Sequence, residues 1–156
     1  MTEQVQGIYF EEFEIGKIYK HAIRRTVTET DNLLFTVMTM NTQPLHLDEE
    51  FSKNSVAGTR MCNSIFTLGL IIGVGVSEVS GGTTVANLGF QEITFPRPVL
   101  IGDTLHAETE IMDKRESKSR PNAGVVHFEH RGYNQRGELI AKAARTALML
   151  KKPVGA

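Results

Sequence analysis

A single cysteine, Cys62, rules out any disulfide within the chain, so stability has to come from a packed core. A reduced, cytoplasmic setting is expected. Charge of one sign is also missing, since 17 Lys and Arg against 18 Asp and Glu leave a formal net charge of −1. Nucleic acid and anionic membrane surfaces, which are held by bulk charge, are therefore not expected as partners. No apolar run reaches the roughly 18–20 residues of a membrane span. The longest uncharged stretch, Met61 to Ser77, contains Asn63, Ser64 and Ser77 and reads as a buried helix. The acidic opening lacks the apolar segment of a secretion signal. Repeats, low-complexity tracts and Pro/Ser linkers are absent too. With 156 residues, 40% hydrophobic and 22% charged, the chain suits one globular domain over 1–156.

The pattern predicts a first strand over 17–27. Thr28 and Asp31 then form a capping box for a helix carrying Leu33, Leu34, Val37 and Met38, which ends near Asn41 ahead of Pro44. Asn41 suits a helix C-cap, because Asn tolerates the left-handed conformation. Residues 41–60 are polar, with one helical turn around Asp48–Phe51. The most apolar helix follows over 63–78, capped by Ser64 or Asn63. Its glycines Gly69, Gly73 and Gly75 weaken it and are read as points of close approach to a sheet. Strands are predicted at Thr83–Phe95, Thr104–Arg115, Val125–Asn134 and Glu138–Leu150. The last two are joined by a hairpin at Gln135-Arg136-Gly137. The expected class is α+β, an antiparallel sheet wrapped around one long buried helix, with sheet edges that invite a second copy.

Polar, potentially reactive residues are densest in Asn41-Thr42-Gln43-Pro44-Leu45-His46-Leu47-Asp48, between two helices. This segment resembles the D-x-N-P-x-H-x-D motif of MaoC-like (R)-specific enoyl-CoA hydratases. Pro44, His46 and Asp48 match, whereas Asn41 and Gln43 depart. Asn63-Ser64 stands where the family has an H-G or N-G pair opening its apolar helix. The run from Pro98 to Leu105, P-V-L-I-G-D-T-L, matches the family's P-x-x-x-G-D connection. The likeness extends over about 9–150. Its variants N-T-Q-P-L-H, G-T-T-V-A-N-L-G-F and R-E-S-K-S-R-P are closest to the mesaconyl-CoA hydratase-like subgroup, which handles short branched dicarboxylic acyl-CoAs.

The resemblance implies a hotdog fold, a homodimer or higher homo-oligomer, and an acyl-CoA substrate to which water is added or from which it is removed. It implies no metal or redox cofactor, CoA being part of the substrate. By the same resemblance, His46 is the acid/base and Asn41, in place of the family's catalytic Asp, orients the water, since an amide cannot serve as a base. The Ser64 N–H, at a helix N-terminus, stabilises the enolate-like oxyanion. Gln43 and Asn63 are assigned to the substrate site. Arg60 is a candidate partner for an acidic acyl tail and Arg97 a candidate for CoA phosphates, while the run Lys114–Arg120 reads first as a solvated hairpin tip, with CoA phosphates as its alternative partner.

His21, His106, His127 and His130 fall in strand patterns without metal-site spacing. His106 and His130 are expected on exposed faces, and Cys62 is expected to be a small buried residue. Two other functions stay open. One is an acyl-CoA-binding or regulatory protein that has lost its acid, and the other is a hotdog thioesterase.

Overall fold

The computed structural model describes residues 7–153. Four long strands build the sheet: β3 (Thr84–Thr94), β4 (Thr104–Glu116), β5 (Ala123–Tyr133) and β6 (Leu139–Leu150). The expected first strand is instead two short pieces, β1 (Ile18–Lys20) and β2 (Arg25–Thr26), both paired with β4. The pieces have no continuous apolar face to bury, and between them the His21 side chain turns inward. Pairing is antiparallel throughout, in the order β1-β4-β5-β6-β3. This is the expected hotdog fold.

Helix α1 (Glu29–Met38) starts as predicted: Thr28 Oγ1 accepts from Asp31 N–H, and Asp31 accepts from Thr28 N–H at 2.8 Å. Arg25 forks onto the same carboxylate at 2.6 and 2.9 Å, holding Asp31 well below the usual carboxylate range. At its far end Met40, not Asn41, takes the left-handed position, with φ 59°. Met40 N–H reaches Val37 O and Asn41 N–H reaches Thr36 O, which closes a Schellman motif. Two one-turn helices follow, α2 (Pro44–Leu47) and α3 (Glu49–Ser52), with Asp48 capping the second through Phe51 N–H.

Helix α4 (Ser64–Gly73) lies in the concave face of the sheet and is shorter than predicted; a wider turn over Val76–Ser80 follows it. It buries Thr67, Leu68 and Ile71 against Leu105, Ala107, Ile140, Ala141 and Ala143. Fully burying a Leu or Ile side chain contributes about 1.5–3 kcal/mol. Close approach comes from the sheet, because a Cβ on Gly132 would stand 2.5 Å from Ile71 Cγ2. Gly69 and Gly73 face open space, which corrects their predicted role, and only Gly75 packs tightly, against the His21 ring. A short turn at Phe10–Glu12, unexpected from sequence, closes the other end of the concave face with Phe10 and Phe13 against Phe128 and Met149.

His130 is buried, not exposed as expected, and its alternation with Val126 and Phe128 explains why. It belongs to a polar chain under the sheet. His21 Nδ1 meets Glu78 at 2.8 Å, His21 Nε2 meets Thr109 Oγ1 at 2.8 Å, and Thr109 Oγ1 meets His130 Nδ1 at 2.9 Å. Burial, with repulsion from Arg145 and His21, pushes the His130 pKa from 6.5 down to about 3. Between those values the unfolded chain binds a proton that the folded chain refuses, so stability falls as pH falls through this window. From pH 7 to pH 5 His130 alone is expected to remove about 2 kcal/mol. Urea titrations at both pH values should show this extra loss in the wild type but not in His130→Asn, whose amide can still meet Thr109. Equal losses in the two proteins would refute it.

Candidate active site

A cavity of about 350 Å³ opens where α2, the loop before α4, the start of α4 and the Phe95–Val99 segment meet. His46, Ser64, Thr67 and Arg97 supply its polar lining, while Leu45, Val56, Phe95 and Ile140 are among its apolar walls.

Two backbone features aim the reactive groups. His46 Nδ1 lies 2.8 Å from Met61 O, and a carbonyl only accepts, so Nδ1 carries the proton. In the neutral ring, Nε2 is then the acceptor, and no described residue meets it. Asn63 caps α4 through its side chain, which accepts from Ile65 N–H at 3.0 Å. Ser64 is thus the first helical residue rather than the cap. Its N–H meets no acceptor among the described residues, and it stands at the positive end of the helix dipole.

One side chain that sequence reasoning missed ties these two features together. Asn32, fully buried on α1, donates from Nδ2 to His46 O at 2.9 Å and accepts on Oδ1 from Asn63 N–H at 3.1 Å. The buried residues of α1 are Asn32 and Thr36, both polar, while Leu33, Leu34, Val37 and Met38 are exposed, so the apolar spacing of the helix gave no signal for it. Met61 strengthens the tie, since its N–H bonds Leu45 O and its O receives the His46 ring.

The other assigned residues are placed differently. Asn41 is exposed and lies outside the cavity lining. Gln43 is also exposed, and its carbonyl receives His46 N–H at 2.9 Å, which makes it a helix start. The Asn63 side chain is buried behind the helix start, with Nδ2 lacking a partner among the described residues. Arg60, expected as the partner of an acyl carboxylate, is committed elsewhere: it forks onto Glu29 at 2.6 and 3.0 Å and reaches Glu49 at 2.8 Å. With both carboxylates already in place, it is not a free cation for substrate. Arg97 does line the cavity, largely exposed, with its nearest carboxylate, Glu138, at 3.6 Å.

The basic run Lys114–Arg120 begins in the last residues of β4, about 30–40 Å along the strand from the cavity end of the sheet. Its Lys114 donates to the carbonyls of Phe10 and Glu11. Cys62 lines the cavity, but burial pushes its thiol up to about 11, so it is not a ready nucleophile.

An unmet imidazole nitrogen and an unmet helix N-terminal N–H on one cavity can move a proton and stabilise a developing negative charge. The family model for the MaoC like domain matches residues 11–133, and the chain belongs to that family. It is similar to the mesaconyl-CoA hydratase of Cereibacter sphaeroides, 30% identical over 150 residues, covering 96% of this chain and 43% of that protein. It is also similar to the (R)-specific enoyl-CoA hydratase of Rhodospirillum rubrum, 31% identical over 104 residues, covering 66% of this chain and 69% of that protein. Among solved structures, a monoamine oxidase regulatory protein from Archaeoglobus superposes with a TM-score of 0.83 at 36% identity, covering 95% of this chain and 97% of that one. The chain spans about two fifths of the length of the mesaconyl-CoA hydratase and of the beta-methylmalyl-CoA dehydratase that it also matches.

Proposed function

We propose that this domain is a hydro-lyase acting on acyl-CoA thioesters. The observation that carries the reading is the pairing, on one cavity, of the unmet His46 Nε2 with the unmet Ser64 N–H. In the hydration direction the thioester oxygen accepts from Ser64 N–H. Water attacks the β-carbon, giving up a proton to His46 Nε2, and the α-carbon takes a proton back from the imidazolium. The hydroxyl ends on the β-carbon and the hydrogen on the α-carbon, and dehydration is the reverse.

Asn41 is proposed to orient the water, an assignment supported by its place in the motif rather than by the cavity lining. Arg97, at the cavity rim, is proposed to meet CoA phosphate. A homodimer is supported by apolar side chains left exposed on the edge strand β3, Leu88, Phe90 and Ile93.

The substrate proposed is a short branched dicarboxylic acyl-CoA, as the name of the Cereibacter relative suggests for that protein. Purified protein mixed with mesaconyl-CoA, and separately with crotonyl-CoA, is expected to consume the conjugated thioester absorbance, mesaconyl-CoA faster. A preference for crotonyl-CoA would reassign the substrate to straight chains. No loss from folded protein would leave an acyl-CoA-binding role, and release of free CoA thiol a thioesterase.

A further inference from the structure

Asn63, not Ser64, caps α4, so the Ser64 hydroxyl has no part in starting the helix. Ser64 is exposed and lines the cavity of His46, and its Oγ meets no partner among the described residues. Alanine would serve the helix better at this position. A hydroxyl without a structural task therefore stands on the wall that carries the base.

The chemistry of hydration supplies a task. An attacking water has to give up a proton while it keeps a lone pair turned to the β-carbon. Its hydrogens need two acceptors, and His46 Nε2 is one of them. The other polar side chains on the lining do not offer the second. Arg97 is a cation and only donates. Thr67 is buried one turn deeper on α4, and its hydroxyl turns back to Asn63 O at 3.3 Å. The Cys62 thiol is buried and also turns to Asn63 O, at 3.8 Å. Asn41 stands outside the lining. Ser64 Oγ is left, an acceptor carried by the same residue whose N–H meets the thioester oxygen. A thioester oxygen held by that N–H keeps the double bond beside the same side chain. The helix N-terminus also favours the negative charge that builds on the water as its proton leaves.

We propose that the Ser64 hydroxyl is a catalytic group distinct from the Ser64 N–H, and that it holds the attacking water beside His46 by accepting its second hydrogen. The inference rests on the hydro-lyase reading. It adds to the contact proposed for Asn41 one that needs no movement of the chain. His46 Nε2 takes the departing proton, Ser64 keeps its own, and the water oxygen bonds to the β-carbon. In dehydration the same hydroxyl meets the leaving water.

Ser64→Ala and Ser64→Gly test this, since both keep the backbone N–H and remove only the hydroxyl. With the preferred enoyl-CoA, kcat is expected to fall about 10–100-fold in both variants, with KM within about threefold of the wild type. Butyryl-CoA has the thioester but no double bond to hydrate, so it reports binding without attack by water. Its Kd by calorimetry is expected to stay within about threefold of the wild type. Melting temperatures are expected to stay close to the wild type, because Asn63 holds the cap. Unchanged kcat in either variant overturns the proposal and leaves the hydro-lyase reading standing. A Kd for butyryl-CoA that weakens in step with kcat gives the hydroxyl to substrate binding, and a marked fall in melting temperature makes it structural; each overturns the proposal. No turnover by folded wild-type protein overturns the hydro-lyase reading and this inference with it, a result seen before any variant is made.

Discussion

His46→Ala is expected to lower turnover of the preferred enoyl-CoA by 10²–10⁴-fold, equivalent to about 3–5 kcal/mol of lost transition-state stabilisation. The size follows from His46 being the only imidazole on the cavity, with the Cys62 thiol held near pH 11 and Asp48 occupied as the cap of α3. Alanine alone leaves an ambiguity, because the ring also binds Met61 O and its loss strands that carbonyl. His46→Asn resolves it. The asparagine amide can donate to Met61 O from the position of Nδ1 but offers no basic nitrogen in place of Nε2. Both variants are therefore expected to lose turnover alike in the absorbance assay, while His46→Asn melts closer to the wild type. Near-normal turnover in His46→Asn would make His46 a structural tie and remove the base from the proposed mechanism.

Much of this site could be read before the structure because its parts are local. The Thr28–Asp31 capping box needs only four consecutive residues, and the P-x-H-x-D run puts proline at the first position of α2 and His46 two residues on. The long strands were legible through period-two alternation, with Leu105, Ala107, Thr109 and Ile111 all buried on one face of β4. The misreadings arose where distant segments decide. Arg60 looked like a free cation near His46, but Glu29 lies 31 positions away and no spacing rule brings them together. Gly69 and Gly73 looked like contact points, yet the close approach is made by Gly132 on another element. His130 was misplaced for a different reason: alternation with Phe128 pointed inward, but an ionisable side chain argues for solvent. The buried chain through Thr109 and His21 that hosts it is invisible in one dimension.

Asn32→Leu is expected to cost about 2–4 kcal/mol of stability, lowering the melting temperature by roughly 5–15 °C, and to reduce turnover by at least tenfold in protein that remains folded. Leucine nearly preserves volume, so the cost is not a cavity. It arises because His46 O and Asn63 N–H, both in the interior, lose their partner together, and an unmet buried polar group costs about 1–3 kcal/mol. The effect on rate has a separate origin. Among the described residues, Asn32 is the one side chain that bonds both the His46 backbone and the residue capping α4, so it sets the distance from base to oxyanion donor. Misplacement by about 1 Å can cost as much as two orders of magnitude in rate. Asn32→Asp separates the two bonds, because it keeps an acceptor for Asn63 N–H but turns a carboxylate oxygen toward His46 O. Measured well below the melting temperature, Asn32→Asp is expected to lose turnover with little change in KM, because the displaced group acts on the reacting atoms and not on CoA. Full turnover in folded Asn32→Leu would show that α1 holds the fold but does not position the site.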